Sequence, residues 1–150
     1  MSDDFKINDA TYSGTKEVDQ NLKFDTNLLQ DWMHEYIPNC ESISSVEQFK
    51  GGQSNPTYKI LTKTGAYVLR RKPPGKLLPK AHAVDREYKV ISALEETDVP
   101  VPKTFGLCDD HDVVGTPFFM MEFVEGKVFW DHLLPSCSKT ERAQIYRDKN

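Results

Sequence analysis

The feature that most constrains the fold of this chain is a turn with two adjacent glycines between two strand-like segments. The turn has the sequence Phe49-Lys50-Gly51-Gly52-Gln53-Ser54-Asn55-Pro56-Thr57-Tyr58. Glycine adopts positive φ without steric cost and allows a ligand to come close to the backbone. A glycine turn between strands can therefore direct several backbone N–H groups at an anion such as phosphate. The same composition is also ordinary for a β-hairpin, so the turn alone leaves both interpretations open.

The composition of the chain is that of a soluble globular domain. Its 150 residues are enough for one domain with a core, and 38% of them are apolar and 28% are charged. The net charge of −4 gives no basic surface for nucleic acid, and no apolar run reaches membrane-spanning length. The three cysteines form no CxxC pair, so the sequence predicts neither disulfides nor a metal site. We therefore expect a cytoplasmic protein that binds neither nucleic acid nor a membrane.

Five segments have the alternation or the apolar content of strands. They are Ser44–Lys50, Thr57–Thr62, Ala66–Arg71, Lys103–Cys108 and Thr116–Val124. Short turns separate the first three, which predicts an antiparallel meander. The acidic turn between the last two, Asp109-Asp110-His111-Asp112, is predicted as a solvated hairpin tip rather than as a metal site.

Helical periodicity predicts two helices in the same part of the chain. The first begins after a capping residue at Asp25 or Thr26 and ends before Pro38. Residues 1–24 precede it without any sustained periodicity, and they are predicted as a mobile arm. The second helix covers residues 81–96 and places Glu87 in the middle of its apolar face.

Glu87 is unusual because an unpaired charge is costly to bury on the apolar face of a helix. We expect a cationic partner, and Arg70 on the third strand is the best candidate. Alternatively, Glu87 lies at a frayed edge of the helix and reaches solvent. The segment Arg70-Arg71-Lys72-Pro73-Pro74-Gly75-Lys76 is itself open to two interpretations, as a solvated basic loop or as a phosphate-binding loop.

The composition changes in the last part of the chain. Trp130–Leu134 is predicted as a short helical piece, and Ser138 with Glu141 has the spacing of a capping box that begins another helix. No stop signal follows before Asn150. We therefore expect residues 127–150 to be the beginning of a further helical domain.

Five pieces of the chain together carry a family resemblance. They are Phe49–Tyr58, Tyr67–Gly75, Arg86–Tyr88, Val99–Pro102 and Phe119–Gly126. Their order resembles the N-terminal lobe of a protein-kinase-like fold. More narrowly, it resembles the aminoglycoside phosphotransferase family, in the branch found fused to, or encoded with, acyl-CoA dehydrogenases.

The resemblance implies an α+β fold. We expect a five-stranded antiparallel sheet with one main helix, preceded by an N-terminal helix and followed by the start of a helical C-lobe. The implied division of the chain is a mobile arm at 1–24, an N-lobe with its hinge at 25–126 and a truncated C-lobe at 127–150.

The resemblance also implies a site for the phosphates of ATP. The turn residues that would fold over the phosphates are Gly51, Gly52, Gln53, Ser54 and Asn55. Arg70 would contact the α- and β-phosphates and pair with Glu87. Most kinases have lysine at this position, and arginine keeps the charge but has a planar group with a different reach.

Adenine would bind, by the same resemblance, where the last strand enters the hinge between lobes. The Glu122 carbonyl and the Val124 N–H would meet its edge, and Met121 would line the pocket. No catalytic residue and no metal ligand is predicted in this chain, because the family's catalytic loop and Mg²⁺ ligands lie in the C-lobe.

The implied function is an ATP-dependent phosphotransferase that phosphorylates a hydroxyl group of a small metabolite. The fused relatives suggest a hydroxyacyl compound as the acceptor. The alternative is a non-catalytic module, derived from such a lobe, that binds a nucleotide or a partner protein. A third interpretation is an unrelated α+β binding domain with a coincidental glycine turn, in which Arg70 and Glu87 would lie far apart.

Exposed apolar side chains lead to one further expectation. Phe123, Phe129 and Trp130 would lie at the surface that a C-lobe covers in a kinase-like fold. We therefore expect the isolated chain to aggregate or to form a dimer.

Overall fold

The computed structural model describes residues 13–51, 55–81, 83–126, 133–134 and 137–148. The chain divides into two compact units. The larger consists of residues 14–125, and the smaller consists of the two chain ends, residues 1–13 and 126–150.

The larger unit is an antiparallel sheet with helices packed on it. Its strands are β1 (Thr15–Lys16), β2 (Ile43–Phe49), β3 (Thr57–Thr62), β4 (Ala66–Arg71), β5 (Thr104–Cys108) and β6 (Phe118–Glu122). Its α-helices are α1 (Thr26–Tyr36), α2 (Val84–Leu94) and α3 (His111–Val114). The strand order is β1-β2-β3-β4-β6-β5, and every neighbouring pair is antiparallel. The predicted α+β fold is therefore confirmed, including the meander of β2, β3 and β4.

The sheet has six strands where five were predicted, because β1 lies in the segment expected to be a mobile arm. Thr15 pairs with Phe49 in the β1–β2 ladder, and its hydroxyl donates to the Glu47 carboxylate at 2.8 Å. The Asp19 N–H donates to the Gln48 side chain at 3.0 Å. These contacts attach Thr15 and Asp19 to β2, so the segment expected to be a mobile arm includes an edge strand of the sheet, while the predicted division of the chain at residue 24 stays a prediction. Residues 1–12 lie outside the described part of the chain.

Helix α1 forms the core together with one face of the sheet. The Asp25 side chain accepts a hydrogen bond from the Asn27 N–H at 2.8 Å, so Asp25 is the cap and Thr26, the other candidate, is the first residue of the helix. The residues of this core that are fully buried are Leu29, Met33, Tyr58, Ile60, Leu69, Phe118 and Met120. The predicted helix is therefore confirmed, and its apolar stripe is what attaches it to the sheet.

Helix α2 packs on the opposite face of the sheet, where the Tyr88 ring lies 6.0 Å from that of Phe119. The helix is shorter than the predicted span of 81–96, and Ala83 at its N-cap offers no side-chain hydrogen bond. Side chains alternate along a strand, so β4 directs Leu69 to α1 and its neighbour Arg70 to α2.

The acidic turn predicted at 109–112 leads into the single helical turn α3, which begins at His111. Asp110 caps it by accepting from the Asp112 N–H at 2.8 Å, and Gly115 ends it with a φ of 96°. The short polar side chain of aspartate favours this local bond, which converts the expected hairpin tip into a helical turn. In the described residues, no group of three or more histidines, cysteines and acids is placed to hold a metal ion.

The smaller unit contains α4 (Lys139–Asp148) in its described part. The predicted capping box is present: the Glu141 N–H donates to the Ser138 hydroxyl at 3.2 Å, and the Ser138 N–H donates to the Glu141 carboxylate at 2.7 Å. Most of the helical piece predicted at 130–134 lies outside the described residues. None of the helices described in the two units has the length and hydropathy needed to cross a membrane.

Candidate functional site

The predicted pair of Arg70 and Glu87 is present between β4 and α2. Arg70 donates from Nε to Glu87 Oε2 at 2.5 Å and from Nη2 to Glu87 Oε1 at 3.3 Å. The side chains are 23% and 37% exposed, so the pair lies at a partly open site. The expected pairing is confirmed, and the alternatives in which Glu87 only reaches solvent or lies far from Arg70 are wrong.

Two further residues extend this pair into a closed ring of hydrogen bonds. Arg70 Nη1 donates to the Thr57 hydroxyl at 3.1 Å, and that hydroxyl donates to the Asn55 carbonyl at 3.0 Å. Asn55 Nδ2 in turn donates to Glu87 Oε1 at 3.1 Å. We call Asn55, Thr57, Arg70 and Glu87 the clamp ring.

Thr57 was not among the predicted site residues, although the sequence contains a signal for it. The short turn after β3 fixes the β3–β4 register, and in that register Thr57 is the partner of Arg70. The side chains of directly opposed residues lie on the same face of a sheet. A register derived from the turn would therefore have placed the threonine beside the arginine.

The glycine turn is only partly described. Gly51 is half-buried two residues after the end of β2, and Asn55 is 2% exposed at the end of the turn that leads into β3. Gly52, Gln53 and Ser54 lie outside the described residues. The predicted role of the turn in binding phosphate stays a prediction, while its end at Asn55 is fixed in the clamp ring.

A cleft of about 540 Å³ adjoins the clamp ring. Its lining residues are Phe49, Thr57, Val68, Pro100, Val101, Pro102, Met121, Glu122, Phe123 and Val124. The structure thus brings together the three predicted hinge residues in one cleft. Thr57 belongs to both the cleft and the clamp ring, so the two features are continuous.

Most of the apolar lining was not predicted. Val68 lies two residues before Arg70 on the same face of β4, and its partner in the ladder with β6 is Met121. The alternation of β4 could have identified Val68. Phe49 and residues 100–102 could not be assigned in this way, because their place at the cleft depends on where distant segments of the chain meet.

Phe123 connects the end of β6 to the strand that enters the glycine turn. Its ring stacks on that of Phe49 with a centroid distance of 6.3 Å, and the Lys59 ammonium lies 4.2 Å from its centre. Glu122 uses its carboxylate to accept from the Lys103 N–H at 3.0 Å. The chain segment at the cleft edge is therefore held by side chains from β2 and β3 and by a backbone N–H of the loop before β5.

Arg71 belongs to the opposite face of the sheet and is only 3% exposed. It donates to the Tyr58 hydroxyl at 3.0 Å, to the Leu22 carbonyl at 3.1 Å and to the Val114 carbonyl. Its guanidinium also lies 5.5 Å from the ring centre of Phe24. Arg71 is therefore neither part of a solvated basic loop nor available to phosphate, the two interpretations of segment 70–76. Instead it links the N-terminal segment and α3 to the sheet.

Comparison with protein-family models matches residues 45–148 to the family described as "Phosphotransferase enzyme family". Among curated proteins, the chain is 44% identical over 136 residues to acyl-CoA dehydrogenase family member 11 of Rattus norvegicus. That match covers 88% of this chain and 18% of the relative. Acyl-CoA dehydrogenase family member 10 of Mus musculus is 46% identical over 103 residues, which is 69% of this chain and 10% of that protein.

A solved structure is also similar. It is a crystal structure assigned as an aminoglycoside phosphotransferase from Ralstonia eutropha, with a TM-score of 0.69 and 47% sequence identity. The similarity covers 83% of this chain and 35% of that one. The chain thus spans about a fifth or less of the curated relatives and about a third of the solved structure.

Proposed function

Because the chain belongs to the phosphotransferase enzyme family, we propose that it forms the nucleotide-binding part of an ATP-dependent phosphotransferase. The acceptor in this proposal is a hydroxyl group of a small metabolite. The similar proteins named as acyl-CoA dehydrogenase family members support a hydroxyacyl compound as that metabolite. The residues that catalyse the transfer would belong to a part of the full-length protein outside this chain.

The observation that carries the proposal is the position of Arg70. A guanidinium has five N–H donors, and in the part of the chain that the structure describes Arg70 uses three of them, two on Glu87 and one on Thr57. Two donors thus remain for phosphate oxygens while the pair with Glu87 is kept. Thr57, which accepts from Arg70, also lines the cleft, so the guanidinium is one hydrogen bond away from the cleft wall and could contact the phosphates of a nucleotide bound there.

The cleft supports the other half of the proposal, which is binding of the adenine base. Val68, Met121 and the prolines of 100–102 give it apolar walls that suit a flat ring. The Glu122 carbonyl and the Val124 N–H are the backbone groups we assign to the edge of the base. Val124 is 62% exposed at this edge, where a base could approach it.

Mg²⁺ supplies charge neutralisation at the phosphates in phosphoryl transfer. The described residues do not fit a metal site, since they contain no suitable cluster of acids, histidines and cysteines. We assign no Mg²⁺ ligand to this chain. Its own residues bind and orient the nucleotide: Arg70 contacts the phosphates, Glu87 orients Arg70, and the cleft holds the base.

The test is to compare ATP and adenosine binding in the full-length protein and its Arg70→Ala variant. Loss of a charge-assisted contact of about 1.5 to 3 kcal/mol should weaken ATP binding by about 10- to 100-fold. Adenosine has no phosphates, so its affinity should stay within about twofold. Lys63→Ala is the matched control, because it removes an exposed cation in the β3–β4 turn.

Turnover is measured in parallel with hydroxylated metabolites, including hydroxyacyl thioesters. Phosphorylation of one of them that is lost in Arg70→Ala would support the kinase. ATP binding without transfer to any acceptor would favour the non-catalytic module. Equal ATP affinity of the wild type and Arg70→Ala would show that the role proposed for Arg70 is wrong.

A further inference from the structure

The clamp ring joins four separate pieces of the fold. Asn55 ends the glycine turn, Thr57 begins β3, Arg70 lies on β4 and Glu87 lies in the first turn of α2. Each is hydrogen-bonded to the next at 2.5 to 3.3 Å. A displacement of any one piece therefore changes a contact made by its neighbours.

Asn55 is a buried residue that joins the glycine turn to helix α2. Its side chain is buried, and a buried amide must be hydrogen-bonded or it costs about 1 to 3 kcal/mol. Nδ2 meets this need at Glu87 Oε1, the oxygen that also accepts from Arg70 Nη2. The end of the glycine turn is thereby attached to the carboxylate that orients Arg70.

Thr57 determines the plane of the guanidinium. Glu87 holds the Nε and Nη2 side of Arg70, and Thr57 holds Nη1 on the other side. With three points fixed, the two remaining N–H groups have defined directions. A lysine has all its donors on a single nitrogen and could not contact Glu87, Thr57 and a phosphate in the same fixed geometry.

We infer that Asn55 and Thr57 are positioning residues that orient Arg70 for phosphate and adapt this site to arginine in place of lysine. The inference rests on the proposed function, since it assigns these residues to the same phosphate site. They act through Arg70 and Glu87. Their removal should therefore weaken binding of the phosphates and leave binding of the base unchanged.

The test uses Thr57→Val, which keeps the shape and removes the hydroxyl, and Thr57→Ser, which restores the hydroxyl, in the full-length protein. We expect Thr57→Val to weaken ATP binding about 5- to 30-fold, which is less than the effect of Arg70→Ala, because the guanidinium is kept and loses only one of the contacts that orient it. Adenosine affinity should stay within about twofold, and Thr57→Ser should recover most of the ATP affinity. Asn55→Ala should act in the same direction as Thr57→Val.

Repeating the Thr57→Val substitution in the Arg70→Lys variant separates a positioning role of Thr57 from a merely structural one. In Arg70→Lys the guanidinium is absent, so adding Thr57→Val should cause no further loss of ATP affinity. An equal loss in both backgrounds would contradict the inference, because the threonine would then act independently of Arg70. If Asn55→Ala does not fold, the Thr57 series alone decides.

The outcomes also distinguish this inference from the proposed function. A wild type that binds ATP no better than adenosine would overturn the phosphate site itself. A wild type that prefers ATP, with Thr57→Val and Asn55→Ala retaining that preference in full, would overturn only the positioning role. Melting temperatures within a few degrees of the wild type would show that the variants compared are folded.

Discussion

Replacing Arg71 by methionine should release the N-terminal segment and α3 from the sheet. Methionine has a similar length and no donors, so the change removes all three hydrogen bonds of the buried guanidinium. The Tyr58 hydroxyl still donates to the Leu22 carbonyl at 2.9 Å, which keeps that carbonyl paired. Val114 loses the bond that its carbonyl accepts from Arg71.

The size of this effect follows from two opposing terms. Hydrogen bonds from a charged donor contribute about 1.5 to 3 kcal/mol each, whereas burying the guanidinium costs several kcal/mol. Since two of the three acceptors, the Tyr58 hydroxyl and the Leu22 carbonyl, stay bonded to each other and the third, the Val114 carbonyl, loses its partner, we expect a net loss of about 2 to 4 kcal/mol in local stability. This corresponds to roughly 30- to 1,000-fold more frequent opening of the attached segments.

Hydrogen exchange followed by mass spectrometry on the full-length protein measures that opening. Peptides covering residues 19–24 and 111–117 should exchange faster in Arg71→Met, while peptides from α2 should not change. Arg86→Met is the matched control, because Arg86 is an exposed arginine and its loss should change stability by no more than about 0.5 kcal/mol. Unchanged exchange at 19–24 and 111–117 would refute the linking role of Arg71.

Two further predictions concern the same unit. Gly115→Ala should lower the free energy of unfolding by about 1 kcal/mol, because Gly115 has a φ of 96°. Gly65→Ala should be neutral or slightly stabilising, because Gly65 has no positive φ and no atom lies close to the added Cβ. Thermal melting compares the two variants, and equal losses of stability would contradict the argument from φ. Burial raises the pKa of the Cys108 thiol, which lowers the fraction of reactive thiolate at neutral pH. Cys108 should therefore react with iodoacetamide more slowly at pH 7.5 than an unstructured peptide thiol, as peptide mapping would measure, and equal rates would show that the thiol is accessible.

Strong periodicity is what made most of the fold predictable from the sequence. The strands Thr57–Thr62 and Ala66–Arg71 were predicted with the bounds the structure has, because alternation and a short turn define both ends. Strand β1 has two residues, too few for any period, and its position depends on contacts with Glu47 and Gln48 more than twenty residues away. Such a strand cannot be recognised from local pattern.

The part of the candidate site that could be predicted from the residues is the one in which a charged side chain occupies an apolar helix face. Glu87 on an apolar face required a cation, and that requirement led to Arg70. Asn55 and Thr57 carried no such conflict, because both are ordinary residues of a turn and a strand. The β3–β4 register, which the short turn defines, places Thr57 beside Arg70, whereas the link between Asn55 and Glu87 depends on the approach of α2, which is a tertiary feature.

The assignment of adenine to the hinge is the part of the site that depends most on resemblance. Met121, Glu122 and Val124 do line one cleft, yet residues on β2, β4 and the 100–102 segment form much of its wall. Backbone atoms read adenine without demanding particular side chains, so the sequence carries little information about which residue binds. Their roles toward a nucleotide remain proposals.

The most direct test of the central claim is a structure of the full-length protein with a non-hydrolysable ATP analogue. We predict that the base lies in the cleft, against the neighbouring side chains of Val68 and Met121. A phosphate oxygen should lie about 2.7 to 3.2 Å from a guanidinium nitrogen of Arg70, with the contact to Glu87 retained. A nucleotide bound elsewhere, or one whose phosphates do not contact Arg70, would contradict the claim.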